Sequence, residues 1–135
     1  MSEKGVNRGA GVKAGNSRSF HSKISGTSHK NSDGSDRQDY IKRYVKAGDD
    51  LVLAPEPYNP VSPAAIALFV LRETGTLRKS REALQLGYVA GELAPEIHRM
   101  WADGKRVRVA VSEVTGGTRD KPSRGVNLLF EVVEE

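Results

Sequence analysis

Apolar and polar residues alternate or cluster in six short segments, and each of these patterns predicts a β-strand. Residues 20–26 and 107–111 alternate between apolar and polar positions, which is typical of a strand with one buried face. Residues 64–71 (AAIALFVL) form the most apolar stretch and predict a fully buried strand. The predicted strands cover residues 20–26, 51–53, 64–71, 85–90, 107–111 and 126–133.

Two further segments repeat their apolar residues at helical spacing. The first helix is predicted over residues 37–47, with Ser35 or Asp36 as its cap and Gly48 as its stop. The second is predicted over residues 92–103 and ends before Gly104. Its apolar positions follow the spacing i, i+4, i+7 and i+8, which places them in one stripe that we expect to close one end of the fold. They are Leu93, Ile97, Met100 and Trp101.

The remaining segments show neither strand alternation nor helical spacing of apolar residues. Residues 72–84 (RETGTLRKSREAL) are rich in charge and are interpreted as a loop insertion, and residues 115–124 as a polar loop. Residues 1–19 have almost no apolar surface to bury, so they are predicted to be a disordered basic tail. The folded domain is then predicted to cover residues 20–135.

The predicted order is β-α-β-β-β-α-β-β. A doubly wound parallel sheet would need a helix after nearly every strand, and most of those helices are absent. Several short strands with two helices favour an α+β domain. We therefore expect a small OB-like barrel, a curled sheet of about six strands.

The composition narrows the function classes only slightly. The chain has 135 residues, no cysteine and a net charge of +4. The positive charge is concentrated at the start, where Lys4, Arg8, Lys13 and Arg18 oppose Glu3 alone, and the rest is nearly neutral. No apolar run approaches the ~20 residues that span a bilayer, and the first residues lack the apolar stretch of a signal peptide. We expect a cytoplasmic protein.

Residues suited to catalysis are scattered. His21, His29 and His98 have no metal-ligand spacing, and no cysteine could complete a zinc site. The paired carboxylates Asp49-Asp50 and Glu134-Glu135 follow a helix stop and end the sequence, where solvation accounts for them. The sequence therefore predicts no enzyme, no metal and no cofactor.

A binding role has more support. The first helix carries four cations, and Arg106 and Arg108 alternate with valines on the fifth strand. Cations with aromatic side chains between them on a curled sheet suit a single-stranded nucleic acid with stacked bases, although an ordinary solvated surface has the same composition. The four helix cations are Arg37, Lys42, Arg43 and Lys46.

Four motifs in the same order resemble the HIRAN domain family, as found in stand-alone bacterial and phage proteins. The loop from Glu56 to Ile66 (EPYNPVSPAAI) is similar to the signature acidic-Pro-x-Asn-Pro-x-Asp-x-x-Ala-Ile/Val. Gly87-Tyr88 and Glu92-Leu93-Ala94 follow it, as the family's Gly-Tyr strand and next helix do. Upstream, the segment from Gly26 to Gln38 resembles the first half of bacterial members.

The resemblance implies an OB-like domain that binds DNA, either single strands or 3′ ends, in repair or replication-fork processing. The family pocket lies between the loop after the first strand and the Asn-Pro loop. Carried onto this sequence, with a helix cation and the Gly-Tyr tyrosine, the nucleic-acid-binding residues are Ser28, His29, Lys30, Arg37, Tyr58, Asn59, Ser62 and Tyr88.

Two features depart from the family pattern, at three positions. Ser62 replaces an acidic residue that can accept a hydrogen bond from a terminal sugar hydroxyl, and His29 and Lys30 replace paired aromatics that sandwich a base. From Ser62 alone we expect a 3′-hydroxyl strand to be preferred over a 3′-phosphate strand by less than about tenfold. The alternatives are a protein-interaction module that binds no nucleic acid and, with less support, a nuclease.

Overall fold

The computed structural model of the protein describes residues 17–134, and this part of the chain holds six strands and two helices. In chain order these are β1 (Ser17–Ser25), α1 (Arg37–Tyr44), β2 (Asp50–Pro55), β3 (Ile66–Thr74), β4 (Ser80–Val89), α2 (Ala94–Ala102), β5 (Arg106–Thr115) and β6 (Gly125–Val133). β1 begins three residues before the predicted alternation, because Ser17 already pairs with Val133 of β6. Residues 1–16 of the predicted tail lie outside the described residues.

The six strands close into a barrel in the order β1-β4-β3-β2-β5-β6, and every pairing is antiparallel. This confirms the expected α+β fold, an OB-like barrel with two helices. The pairings differ greatly in length. β1 joins β4 through only two residue pairs, Ile24 with Val89 and Ser25 with Tyr88.

The barrel interior is filled by large apolar side chains from several strands. Ile66, Leu68, Leu86, Leu128 and Phe130 are fully buried. The ring of Phe20 on β1 stacks on that of Phe130, with 5.1 Å between centroids. Burying several large aliphatic side chains contributes about 1.5–3 kcal/mol for each, which accounts for a stable core in so small a domain.

The two helices are shorter than predicted. α1 ends at Tyr44 because Val45 adopts an extended conformation and packs against the core. α2 begins at Ala94 with Pro95 in its first turn, where a missing amide hydrogen costs no helix bond. Ile97 of the predicted stripe is fully buried, but Trp101 is only half-buried.

The interpretation of residues 72–84 as a loop insertion is wrong. β3 and β4 continue through this segment as a hairpin whose last registered pair joins Thr74 and Ser80. Opposite charges face each other across it, Arg72 with Glu82 and Glu73 with Arg81. Such cross-strand pairs support a strand without any apolar side chain, which is why a search for hydrophobic alternation misses it.

Candidate nucleic-acid interface

A cleft of about 680 Å³ opens where β1 meets β4. One wall is the segment that follows β1 and leads into α1. The other wall is the loop between β2 and β3, residues 56–65, which we call the Asn-Pro loop. The floor is the end of β4, including Gln85, Tyr88 and Val89.

The conformation of the Asn-Pro loop is fixed largely by the side chain of Asn59. Its Oδ1 accepts hydrogen bonds from the backbone N–H of Val61 (2.8 Å) and Ser62 (3.2 Å), while its Nδ2 donates to Glu56 Oε1 (2.9 Å). Pro57, Pro60 and Pro63 restrict the backbone between these bonds. The loop is therefore a preformed wall.

Two side chains of this wall are available to a ligand. Tyr58 is exposed, at 85% of its maximum. Ser62 is half-buried and its Oγ accepts from the backbone N–H of Ala64 at 3.2 Å. An exposed aromatic ring on a rigid loop is the arrangement on which a base can stack.

Glu56 lies in the cleft and was not among the predicted site residues, although it is the acidic residue that opens the family-like motif. Its Oε1 accepts from the hydroxyl of Tyr88 (2.9 Å) as well as from Asn59. Its Oε2 makes no hydrogen bond or ion pair within residues 17–134, and the side chain is half-buried. The cleft thus contains a carboxylate oxygen with free acceptor capacity.

Arg37 is the first residue of α1 and is nearly buried, at 7% exposure. Its Nε donates to Asn31 Oδ1 (2.7 Å) and its Nη1 to the carbonyl of Gly26 (2.8 Å). The guanidinium also lies over the ring of Tyr88, 5.4 Å from the centroid. Arg37 forms no ion pair with any described carboxylate, so its positive charge is compensated only by neutral dipoles.

Glycine at position 26 favours the placement of Arg37. Gly26 has a φ of 77°, and a Cβ there would lie 3.1 Å from Arg37 Nη1. Asn31 is held in turn by Ser35 Oγ and by the carbonyl of Gln85. Residues 26–37 therefore form a second preformed wall.

The exposed tip of this second wall is a tight turn. Asp33 accepts hydrogen bonds from the hydroxyl and the backbone N–H of Ser35, at 2.6 and 2.9 Å. These bonds hold the pKa of Asp33 below its ordinary value, the hydroxyl bond having the larger effect. The turn therefore keeps a negative charge outside the cleft at neutral pH.

Six of the eight predicted site residues line the cleft: His29, Arg37, Tyr58, Asn59, Ser62 and Tyr88. Ser28 and Lys30 belong to the second wall but are exposed and do not line the cleft. The backbone of Lys30 pairs with that of Asp36 in an isolated β-bridge. Sequence reasoning missed Glu56 and Gln85. The amide nitrogen Nε2 of Gln85 is buried without a hydrogen-bond partner, a feature that no sequence pattern could reveal.

The other predicted cations do not gather at the cleft. Arg43 pairs with Asp39 at 3.1 Å, Lys46 with Asp49 at 3.9 Å, and Arg108 with Glu131 at 3.7 Å. The Asp39 carboxylate and the Tyr44 hydroxyl raise the pKa of Arg43, with the Tyr44 hydrogen bond the largest influence. Exposed pairs of this kind contribute little to stability and leave less charge for a ligand.

Within residues 17–134, no three His, Asp or Glu side chains form a group that could hold a metal ion. His98 is half-buried, and its Nε2 lies 3.1 Å from the carbonyl oxygen of Ala64. Neither helix of the described chain is long and apolar enough to cross a bilayer.

The sequence of this chain matches a known family profile, and its fold is similar to that of a solved structure. A family profile of the HIRAN domain matches residues 17–132. No curated protein matches the sequence. Among solved structures, the HIRAN domain of human HLTF is similar with a TM-score of 0.51 and 15% identity, over 86% of this chain and 77% of that one. The profile spans nearly all of the described barrel, and the chain therefore belongs to the HIRAN domain family, a family of DNA-binding modules.

Proposed function

We propose that the cleft binds the 3′-terminal nucleotide of single-stranded DNA. The observation that carries this proposal is the nearly buried Arg37, which has no carboxylate partner among residues 17–134 and lies in a cleft rimmed by an exposed tyrosine. A buried charge without a counter-ion is costly, and a bound phosphate would compensate it. The ring of Tyr58 supplies a surface on which a base can stack.

Glu56 supplies the means to distinguish one strand end from another. A carboxylate oxygen accepts a hydrogen bond from a sugar hydroxyl and repels a phosphate. The free Oε2 of Glu56 can perform the role of the family's acidic residue, whose position in the motif is occupied here by Ser62. We therefore expect the 3′-hydroxyl strand to be preferred by more than the tenfold limit inferred from Ser62 alone.

The module binds its ligand and performs no reaction on it in this proposal, and capture of strand ends suits a role in DNA repair or replication-fork processing. A location in the cytoplasm stays a prediction. Docking of a repair or replication protein at the same cleft is the competing role.

The stacking role of Tyr58 is tested by substitution. Tyr58→Ala should weaken binding of a single-stranded oligonucleotide about 5- to 150-fold, because stacking contributes about 1–3 kcal/mol per base. Tyr58→Phe is the matched control, since it keeps the ring and should stay within about twofold of the unaltered protein. Fluorescence anisotropy titrations at low salt measure both affinities. Absence of binding to any oligonucleotide would reject the DNA proposal and leave the protein-interaction module.

The end-reading role of Glu56 needs a variant that keeps the loop intact. Glu56→Gln retains an oxygen that can accept from Asn59 and Tyr88 but removes the charge. The unaltered protein should prefer a 3′-hydroxyl strand over a 3′-phosphate strand by about tenfold or more, and Glu56→Gln should reduce this ratio to a few-fold. An unchanged ratio would show that another group reads the end.

A further inference from the structure

The hairpin formed by residues 71–83, which we call the β3–β4 arm, extends beyond the barrel. β2 pairs with β3 only as far as Phe69, and β1 pairs with β4 only at Tyr88 and Val89. Beyond these points the two strands pair with each other and with no other described strand. Every residue of the arm except Thr74 is exposed.

The base of the arm is anchored and its tip is free. The guanidinium of Arg72 lies over the ring of Tyr44 on α1, 4.8 Å from its centroid, and pairs with Glu82 at 3.7 Å. At the tip, Gly75 has a φ of 87°, and a Cβ there would lie 2.4 Å from the carbonyl oxygen of Arg78. The turn is therefore tight, and a larger residue at position 75 would disrupt it.

The arm carries an excess of positive charge and an exposed leucine at its tip. Four cations, Arg72, Arg78, Lys79 and Arg81, outnumber the two acids Glu73 and Glu82. Arg78 makes no ion pair with any described residue, and neither does Arg81, although it lies opposite Glu73 in the strand register. Leu77 at the tip is fully exposed. A protein interface is normally centred on a larger apolar patch than one leucine, so this surface suits a polyanion better than a protein.

The dimensions of the arm also match those of a nucleic acid duplex. A two-stranded β-ribbon fits into the major groove of B-DNA, where apolar side chains can contact thymine methyl groups. Tyr88 at the cleft and Ser80 at the turn are eight residues apart on one strand. At about 3.3 Å per residue this is roughly 26 Å, which corresponds to about eight base pairs at roughly 3.4 Å each.

We propose that the β3–β4 arm is a second, separate DNA site that binds duplex lying behind the strand end, with Arg78 and Arg81 on phosphates and Leu77 in the groove. This site goes beyond the cleft and does not depend on which end the cleft selects. The two arginines at phosphates carry no base information, so the arm reads sequence only as far as Leu77 favours thymine methyl groups.

Three probes separate the two sites. A trinucleotide with a 3′-hydroxyl reaches only the cleft. The same three nucleotides as a 3′ overhang on a duplex of roughly 16 base pairs, twice the estimated span, reach both sites. A duplex closed at both ends by hairpin loops presents no strand end and reaches only the arm.

The arm variant is Arg78→Ala with Arg81→Ala. It should bind the trinucleotide within about twofold of the unaltered protein, but bind the overhang duplex at least about fivefold more weakly at low salt. Its log–log salt slope should fall by about 1.8, since each phosphate contact on duplex DNA contributes about 0.9. Arg78→Lys with Arg81→Lys, which keeps both charges, should restore most of the affinity.

The matched control removes two exposed cations from β1, Arg18→Ala with Lys23→Ala. β1 pairs with β4 at Ile24. From Ile24 towards its N-terminal end, β1 runs away from the cleft in the direction opposite to the arm. This control should retain most of the affinity for the overhang duplex. Leu77→Ser should weaken binding to the closed duplex by about fivefold, because an apolar contact is lost without any change in charge.

The outcomes distinguish this proposal from that for the cleft. Equal affinity of the arm variant and the unaltered protein for the overhang duplex, or an equal loss in the β1 control, would overturn the arm site whatever the trinucleotide does. Failure of the unaltered protein to bind the trinucleotide, with arm-dependent binding to the closed duplex intact, would instead reject the cleft and support the arm.

Discussion

At the scale of single residues, Arg37 shows how far a charged side chain can differ from its sequence interpretation. As one of four cations on a short helix it was expected to face a ligand from the surface, yet it is nearly buried. Its partners are Gly26 and Asn31, which belong to the loop before the helix. Helical spacing describes only contacts within the helix, so it cannot reveal a residue that a neighbouring loop covers.

Burial of Arg37 predicts a clear effect on stability. Arg37→Met should lower the free energy of unfolding by about 2–4 kcal/mol, because Asn31 Oδ1 and the Gly26 carbonyl each lose a charged donor in a partly buried place. Arg37→Lys should be intermediate, since lysine lacks the planar fork that makes both bonds.

Lys42→Met on the exposed side of the same helix is the control and should change the free energy of unfolding by less than about 0.5 kcal/mol. Urea denaturation measures all three variants. A value for Arg37→Met equal to that for Lys42→Met would mean that the buried arrangement contributes nothing to stability.

At the scale of elements, the sequence predicted each strand and helix in the right order, and the errors concern how far each extends. Hydrophobic alternation correctly predicted the parts of β3 and β4 that lie within the barrel, around Leu68 and Leu86, where one face is buried. It failed beyond Leu71, where both faces of the arm meet solvent and charge pairs replace apolar ones. The alternating charges of Arg72, Glu73, Arg81 and Glu82 were a usable signal for this hairpin.

The second helix makes a prediction about which residue of its stripe matters most. Ile97 is fully buried, whereas Trp101 borders an open groove with Leu53 and Val107 and packs edge-on against His98. Ile97→Ala should cost about 2–5 kcal/mol, because the cavity it leaves is enclosed. Trp101→Ala should cost less despite the larger ring, because water can enter the groove that it leaves. The reverse order in urea denaturation would show that Trp101 covers the core more fully than its half-buried state indicates.

At the scale of the whole molecule, a small barrel of about six strands was predictable from the sequence, but the order of the strands around it was not. The order β1-β4-β3-β2-β5-β6 joins strands far apart in the chain, and no local pattern specifies such partners. The Asn-Pro loop could be recognised from its motif. The approach of Gln85 to that loop could not be predicted, because the closure of the barrel brings them together.

The two-pair junction of β1 with β4 has a consequence for the dynamics of this ring. The backbones approach so closely there that a Cβ on Gly87 would lie 2.4 Å from the carbonyl oxygen of Ser25, yet few ladder bonds hold them. β2 and β5 are also joined by two registered pairs, but two further backbone bonds extend that junction, from Gly48 N–H to the Val111 carbonyl and from Val111 N–H to the Asp49 carbonyl, both 2.8 Å. We therefore expect the ring to open most often between β1 and β4, and the cleft spans this junction.

A molecule bound in the cleft therefore ties the two strands together and suppresses that opening. In hydrogen exchange, the amides of the hydrogen-bonded pair at this junction, Ile24 with Val89 or Ser25 with Tyr88, should slow by up to about 100-fold at a ligand concentration of about 100 times Kd, if opening releases the ligand. Amides of Leu51 and Val109 at the β2–β5 junction should change little. Uniform slowing at both junctions would contradict this view, in which the ligand acts as a temporary cross-link that completes the ring.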